Sequence, residues 1–519
     1  MNTINFNKYL GWLFTVLAFM AGVHTLVWLF KDPTLWLDDA MLMKSVVTRD
    51  FFGLFAGMLD YSQSAPIGWL LIVKTFETVF GNSPFVLRLT GVILYFISAW
   101  LVYLLSKNTF KYQIPMMPVA VFMSLGIVQN FAICTKPYMS DVCFSLLTLW
   151  VYYKYLQHKM QALVAFLLMA LFIWFAFGAL FVMGGVCAYH FFWQSALLYK
   201  KKVAVKQFLN EVAPLLVVLL SVGLYYLLWA LPASKNTPSV NEDNTWTFLA
   251  FPLVPHGMKD LKLLLSMFKD FTSPIGKVFL LQYLIGFAVA VKMLWRSWYF
   301  KSFAIMVLMV MVVSSLGLYP IAIRLLLSQF VFTTLLAFWG LDQIVGNIAK
   351  NKVTVFLLLL LVFLPMAWVL KLTVDYRDKV FFANNEQYKA CIDYIYKVKS
   401  PKAKIYIANI QRPMAEYYSN YETSSAFFEP KILEKGDKIW GTSYRQLHNN
   451  EAYVYRFFMQ PDKVKENIEA ITKYNDVYFM NVHSESDVFS NFLADFKKTG
   501  ARIEKVYSFC GSDVYRYHK

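Results

Sequence analysis

The sequence predicts a mainly α fold: a polytopic membrane helical bundle, with amphipathic helices along its outer surface and an α/β domain at the C-terminal end. Three observations predict it. Apolar runs near the roughly 20 residues needed to span a hydrocarbon core recur about eleven times. Positive charge gathers on alternate connections between them. After Leu372 the composition turns polar and nearly balanced in sign. With 58% hydrophobic and only 16% charged residues over 519 positions, the chain is too apolar for a soluble protein of this length.

The first run is Tyr9–Phe30, too long for a signal-peptide core and without a small-x-small cleavage site, so a retained span with a cytoplasmic amino end is expected. Leu87–Leu105, Ile114–Ile133, Val142–Leu156, Leu163–Trp174 and Phe175–Leu197 follow. Val212–Leu231, Phe279–Leu294, Phe303–Leu318, Ile321–Leu341 and Val353–Leu372 complete the series. Several are short, and the pair within Ala162–Leu197 shares one apolar stretch.

Topology explains most of the net charge of +17. Lys107 and Lys111, Lys154 and Lys159, the group Lys200, Lys201, Lys202 and Lys206, then Lys292, Arg296 and Lys301, and finally Lys350 and Lys352 occupy every second connection. Those connections carry almost no acid, as cytoplasmic loops should, so no nucleic-acid partner is implied. Cys134, Cys143 and Cys187 lie in or beside spans; Cys391 and Cys510 lie in the tail, where pairing and chance are equally open.

The remaining connections face outside: Lys31–Val86, Cys134–Ser140, Pro232–Val278 and the corner at Tyr319. Within them Ile67–Phe80, and Leu253–Phe271 with Lys259, Lys262 and Lys269, read as interfacial helices. The chain divides into a membrane domain, 1–374, and an extracytoplasmic α/β domain, 375–519. In the latter Lys404–Ala408 and Val477–Val482 read as strands and Pro461–Lys473 and Asp487–Lys498 as helices. Val506–Phe509 and Asp513–Tyr517 read as a closing hairpin.

Ionisable groups beside apolar spans invite a functional reading. Asp38 and Asp39 follow span one; a helix cap is the plain explanation, a general base the chemical one, since crowding against apolar surface raises a carboxylate pKa. Lys136-Pro137-Tyr138-Met139-Ser140-Asp141 opens span four, where the charges either pair with each other or cap the helix. Arg324, one helical turn past Tyr319-Pro320, either snorkels or clamps a phosphate. These clusters are remote in sequence yet fall on one side of the predicted membrane. That implies an outward cavity with acidic and cationic walls, suited to an anionic lipid-phosphate donor. Phosphate-loop, dinucleotide, zinc-protease and hydrolase motifs are absent, and the histidines lack ligand spacing, so no metal or cofactor is predicted. His256 is a plain interfacial histidine on this reading.

The order of short motifs resembles the GT-C superfamily of membrane glycosyltransferases, in the branch containing protein O-mannosyltransferases and the lipid A aminoarabinose transferase. The residues are Asp38-Asp39-Ala40 after span one, Tyr61-Ser62-Gln63-Ser64-Ala65-Pro66, Phe80-Gly81 leading to Leu87-Arg88-Leu89, Lys136-Pro137-Tyr138 with Asp141, and Tyr319-Pro320 with Arg324. The resemblance implies a bacterial inner-membrane enzyme with a polyprenyl-phosphate sugar donor, a lipid or protein acceptor and inverting transfer with little or no dependence on metal. It implies that Asp38 or Asp39 is the base, with Asp141 as a second acidic wall. Arg324 and then Lys136 would meet the phosphate, with Tyr61, Gln63, Tyr138 and Tyr319 also binding substrate. Ser64-Ala65 stands where aminoarabinose transferases carry a lysine before the proline, so donor contacts should differ. A transporter or flippase of lipid-linked sugars is the alternative, although no inverted repeat or mid-bilayer charge supports it. A glycan polymerase or ligase, which lacks a folded tail, fits less well.

Overall fold

The computed structural model describes residues 3–31, 34–55, 59–231, 252, 257–275, 277–348, 370–371, 387–408, 411–421, 430–432, 438–439, 442–443, 445–447, 452–455, 464–482, 486–509 and 511–519. The expected span Val353–Leu372 (apart from Leu370 and Lys371), the polar start of the Pro232–Val278 connection, His256, Cys510 and the 374/375 boundary fall outside them.

The apolar runs form helices. α1 covers Thr3–Lys31 and α2 Leu37–Thr48. α3, Ile67–Phe80, has the expected bounds and ends where Gly81 takes a φ of 89°, open to glycine at no steric penalty. It buries Trp69, Leu70, Val73 and even Lys74. α4, Pro84–Asn108, begins with a complete cap: the Ser83 side chain accepts from the Val86 amide, and Pro84 occupies a position whose N–H needs no partner.

The run Ile114–Ile133 is not one helix. α5, Met116–Ser124, and α6, Gly126–Ile133, meet at 64°. Gln129 satisfies the broken turn, donating from Nε2 to the Met123 carbonyl at 2.7 Å. α7, Tyr138–Leu156, is followed by the short α8, Ala162–Phe172, and by α9, Ala179–Tyr199. α10, Val205–Val212, and α11, Leu215–Tyr225, continue the chain, then α12, Met258–Thr272, α13, Lys277–Leu294, and α14, Trp298–Ser315. α15 runs Leu327–Ile348, six residues later than the apolar run suggests, because Tyr319–Leu326 forms turns. Arg324 therefore precedes a helix instead of riding on one.

Among the described residues five helices are long and apolar enough to cross a bilayer, or up to seven if each of two bent pairs forms one span. Helix pairs approach closely where small residues meet. A Cβ on Gly340 of α15 would overlap the Gly286 carbonyl of α13, so only glycine permits this crossing.

The tail builds a five-stranded mixed sheet from β1, Lys404–Ala408, β2, Ala452–Tyr455, β3, Asp476–Asn481, β4, Arg502–Phe509, and β5, Ser512–His518, in the order β2-β1-β3-β5-β4. β1 runs parallel to both neighbours, with Lys404 opposite Val477. The closing hairpin is longer than the sequence suggests, pairing Arg502 with His518, and carries a bulge between Lys505 and Tyr507. β3 is buried from Val477 to Met480, as its unbroken apolar run requires. α16, Tyr388–Val398, α17, Arg412–Tyr421, α18, Val464–Thr472, and α19, Ser486–Lys498, complete this part. α17 packs on α2. The Tyr418 phenol accepts the Leu35 amide at 2.8 Å, and Tyr417 donates to the Asn82 carbonyl at 2.7 Å. The tail thus touches the segment that leads into the acidic pair and the turn before α4.

Candidate active site

α2 presents Asp38 and Asp39 in its first turn, where the helix dipole favours negative charge. Their surroundings differ. Asp39 is 1% exposed. It accepts a hydrogen bond from the Thr135 backbone, while its Oδ1 has no partner. Burial raises its pKa to about 6, against the pull of Lys136, Arg88 and the Thr135 bond; the Asp38 charge adds to the rise. Asp38 keeps 22% of its side chain exposed and lies 3.5 Å from Nη1 of Arg324, whose side chain is 29% exposed.

Lys136 arrives from the connection before α7. It is buried, and its Nζ donates to Oε1 of Gln63 at 2.5 Å. Burial lowers its pKa, and the charges of Asp38 and Asp39 counter that effect. Gln63 also approaches Met41 Sδ of α2 at 3.6 Å, so one amide ties the acidic helix to the cation. Tyr61, two residues earlier, has a φ of 57°, a left-handed backbone that a bulky residue adopts only under constraint; Lys44 lies over its ring at 5.2 Å. Ser45 fixes that turn, its Oγ donating to Asp60 Oδ2 at 2.9 Å and accepting the Asp60 amide at 2.8 Å.

Asp141, near the start of α7, is buried and accepts the Gly178 amide on Oδ1 at 2.8 Å. A Cβ at residue 178 would sit 3.0 Å from Asp141 Cγ, which explains the glycine. Gln329 of α15 donates to the Gly178 carbonyl, joining three helices at this point. Tyr319 donates to the Leu325 carbonyl at 2.9 Å, packs edge-on to Phe181, and lies within range of the Asp141 charge and close to Tyr138. Tyr138 in turn feels Arg324, Asp38 and Asp39, and packs on Phe131 at 4.6 Å. Asp38, Asp39, Gln63, Lys136, Tyr138 and Arg324 thus form one electrostatic cluster. Asp141 adjoins it through Tyr319, with its carboxylate committed to a backbone amide. Among the described residues no three His, Cys, Asp or Glu side chains gather at metal-ligand spacing.

No protein-family model matches the chain, and no characterised protein matches it in sequence. Solved structures do match in shape. ArnT from Cupriavidus metallidurans in the apo state, an aminoarabinose transferase of the GT-C superfamily, superposes with a TM-score of 0.56 over 98% of both chains at 10% identity. The chain has a GT-C fold. ArnT bound to undecaprenyl phosphate is a looser match, with a TM-score of 0.46 and 11% identity over 97% of each chain. So is the oligosaccharyltransferase AglB from Archaeoglobus fulgidus, in complex with an inhibitory peptide and a dolichol-phosphate. Its TM-score is 0.44 at 10% identity, over 91% of this chain and 70% of that one.

With this GT-C fold and its apolar helices, the molecule is a multi-pass membrane protein. One residue beside this cluster was not singled out from the sequence. Arg88, inside the Leu87-Arg88-Leu89 motif, is 2% exposed, donates from Nη2 to the Thr34 carbonyl at 2.5 Å and acts on Asp39 through its charge. An arginine one turn into an apolar span is itself the signal that would have found it.

Proposed function

We propose that the protein is a glycosyltransferase that moves a sugar from a polyprenyl-phosphate donor to a lipid or protein hydroxyl on the extracytoplasmic side of a bacterial inner membrane. One observation carries the reading: within a GT-C fold, an acidic pair from one connection and cations from two others converge on a single cluster. The lysine-rich connections lie at the opposite helix ends, which supports an outward-facing cluster by the positive-inside bias. Residues 1–374 form the catalytic membrane domain in this reading, and 375–519 an outer domain.

Asp38 is the base we assign, because its carboxylate is the accessible one of the pair. It takes the proton of the acceptor hydroxyl as that oxygen attacks the anomeric carbon. The bond from that carbon to the phosphate oxygen breaks on the opposite face, which inverts the centre and releases the lipid phosphate. Arg324 meets the leaving charge, since a guanidinium binds phosphate through two parallel N–H bonds. Its contact with Asp38 is partly exposed and worth about 1 kcal/mol or less, so an incoming phosphate displaces it readily. Lys136 supplies the second positive charge, held in place by Gln63. In this reading Tyr138 and Tyr319, neighbours of the pair and of Asp141, contact the substrate.

The test is a reconstituted assay with a labelled polyprenyl-phosphate sugar and envelope lipid or protein acceptors, read by mass. Wild-type protein should form a new glycosidic bond. Asp38→Asn should lower turnover by at least about a hundredfold, the low end for losing a general base, with an unchanged melting temperature. Label that crosses the bilayer without forming a bond would identify a transporter instead.

A further inference from the structure

The far end of α9 carries a feature that the transfer reaction does not use. This helix starts beside Gly178, whose amide holds Asp141, and ends at Tyr199. Its 21 residues carry the chain about 30 Å, the thickness of a hydrocarbon core, so Lys200 lies at the opposite membrane face from the acidic pair. There α9 and α14 border an open groove of about 550 Å³, lined by Tyr189, Phe192 and Trp193 and by Lys200, Lys202 and Lys301. The rings of Tyr189 and Trp193 lie 6° from parallel and make a flat wall, and Phe192 and Trp193 remain exposed. Lys201 takes a left-handed turn, φ 53°, so that both its neighbours line the groove while it does not.

Snorkelling accounts for lysines near a membrane surface, but not for three of them around one aromatic groove. Helix electrostatics sharpens the point. Lys200 at the C-terminal end of α9 is favoured by the dipole, whereas Lys301 lies in the first turn of α14, where a cation is disfavoured. Among the described residues no carboxylate pairs with any of the three. An anion in the groove would be held by all three ammonium groups and by the N-terminal end of α14 together.

We infer that this groove binds an anionic phospholipid of the leaflet facing it. The headgroup phosphodiester sits among Lys200, Lys202 and Lys301, and the upper acyl chains lie against Tyr189, Phe192 and Trp193. Basic pockets between membrane helices recognise lipid headgroups in this way. The inference needs the membrane fold but not the transferase reading.

The experiment is native mass spectrometry of the full chain, titrated with phosphatidylglycerol and separately with phosphatidylcholine. Wild-type protein should retain phosphatidylglycerol in preference to phosphatidylcholine. The triple variant Lys200→Gln, Lys202→Gln, Lys301→Gln should bind phosphatidylglycerol roughly tenfold or more weakly, at an unchanged melting temperature. A control of equal charge loss on the same face, Lys107→Gln, Lys111→Gln, Lys292→Gln, should bind as wild type does. Equal losses in both variants would reduce the effect to diffuse attraction and overturn the site. So would a wild-type protein without preference, or a groove variant that binds normally.

Discussion

Asp38 and Asp39 are neighbours in the chain with opposite environments, and the difference assigns them separate tasks. Asp38 reaches solvent and a cation; Asp39 is sealed beneath it, against Thr135, Lys136 and Arg88. We therefore assign Asp39 to positioning: its charge holds Lys136 and the connection before α7. That role makes its titration observable. An acid whose folded pKa, about 6, exceeds the ordinary carboxylate value of 3.8 binds more protons folded than unfolded between those values. Its contribution to stability is present below the lower value and is lost as the pH rises through the higher one, a swing of roughly 3 kcal/mol. Asp39→Asn removes the titration. The stability of the variant relative to wild type, followed by thermal unfolding, should therefore rise between about pH 4 and 6 and level off above. Catalysis should depend on pH in the opposite sense, because the charged form does the positioning. The wild-type kcat/KM should climb through about pH 6 to a plateau, and the variant should lose that limb. A variant that keeps both slopes would remove Asp39 from this role.

The helices themselves were readable wherever one property ran unbroken along them. α1 and α4 are apolar over most of their length, so hydropathy found them, and Ser83-Pro84 marks the start of α4 as clearly as any cap. The break between α5 and α6 was not readable, since averaged hydropathy passes smoothly over Leu125 and the compensating bond from Gln129 spans two helices. Nor was the late start of α15: Ile321–Leu326 is as apolar as a helix, yet its backbone makes turns that aim Arg324 toward α2. Asp38, Lys136 and Arg324 could be singled out because each stands beside apolar sequence. The Gly178 amide and the Thr34 carbonyl could not, because backbone groups leave no trace in a residue pattern. The crossing of α13 and α15 offers a direct test of what a glycine does here. In Gly340→Ala the added methyl meets the Gly286 carbonyl, which belongs to rigid backbone, so the two helices must part. The variant should lose about 1–3 kcal/mol, seen as a lower melting temperature in detergent. Gly223→Ala, whose methyl would meet nothing within 4 Å, should not.

The tail and the membrane helices meet at the segment that carries the acidic pair, and this links the C-terminal part to the candidate site. Tyr418 accepts the amide of Leu35, two residues before α2 begins, and Gln387 receives a bond from Thr34 at 3.2 Å. The Thr34 carbonyl in turn holds Arg88, which acts on Asp39. A chain of contacts therefore runs from α17 through residues 34 and 35 to the carboxylates, with backbone groups as its links. Removing the Tyr418 hydroxyl leaves the Leu35 amide buried without an acceptor, a loss of about 1–3 kcal/mol that falls where α2 is anchored. Tyr418→Phe should therefore lower the melting temperature. It should also lower kcat more than it raises KM, because the proposed base is misplaced while the phosphate contacts proposed for Arg324 and Lys136 remain. A merely attached tail would show the first effect without the second. Steady-state kinetics at a temperature well below the transition of the variant separates the two. A kcat equal to that of wild type would confine the tail to anchoring and leave the orientation of Asp38 to the membrane helices alone.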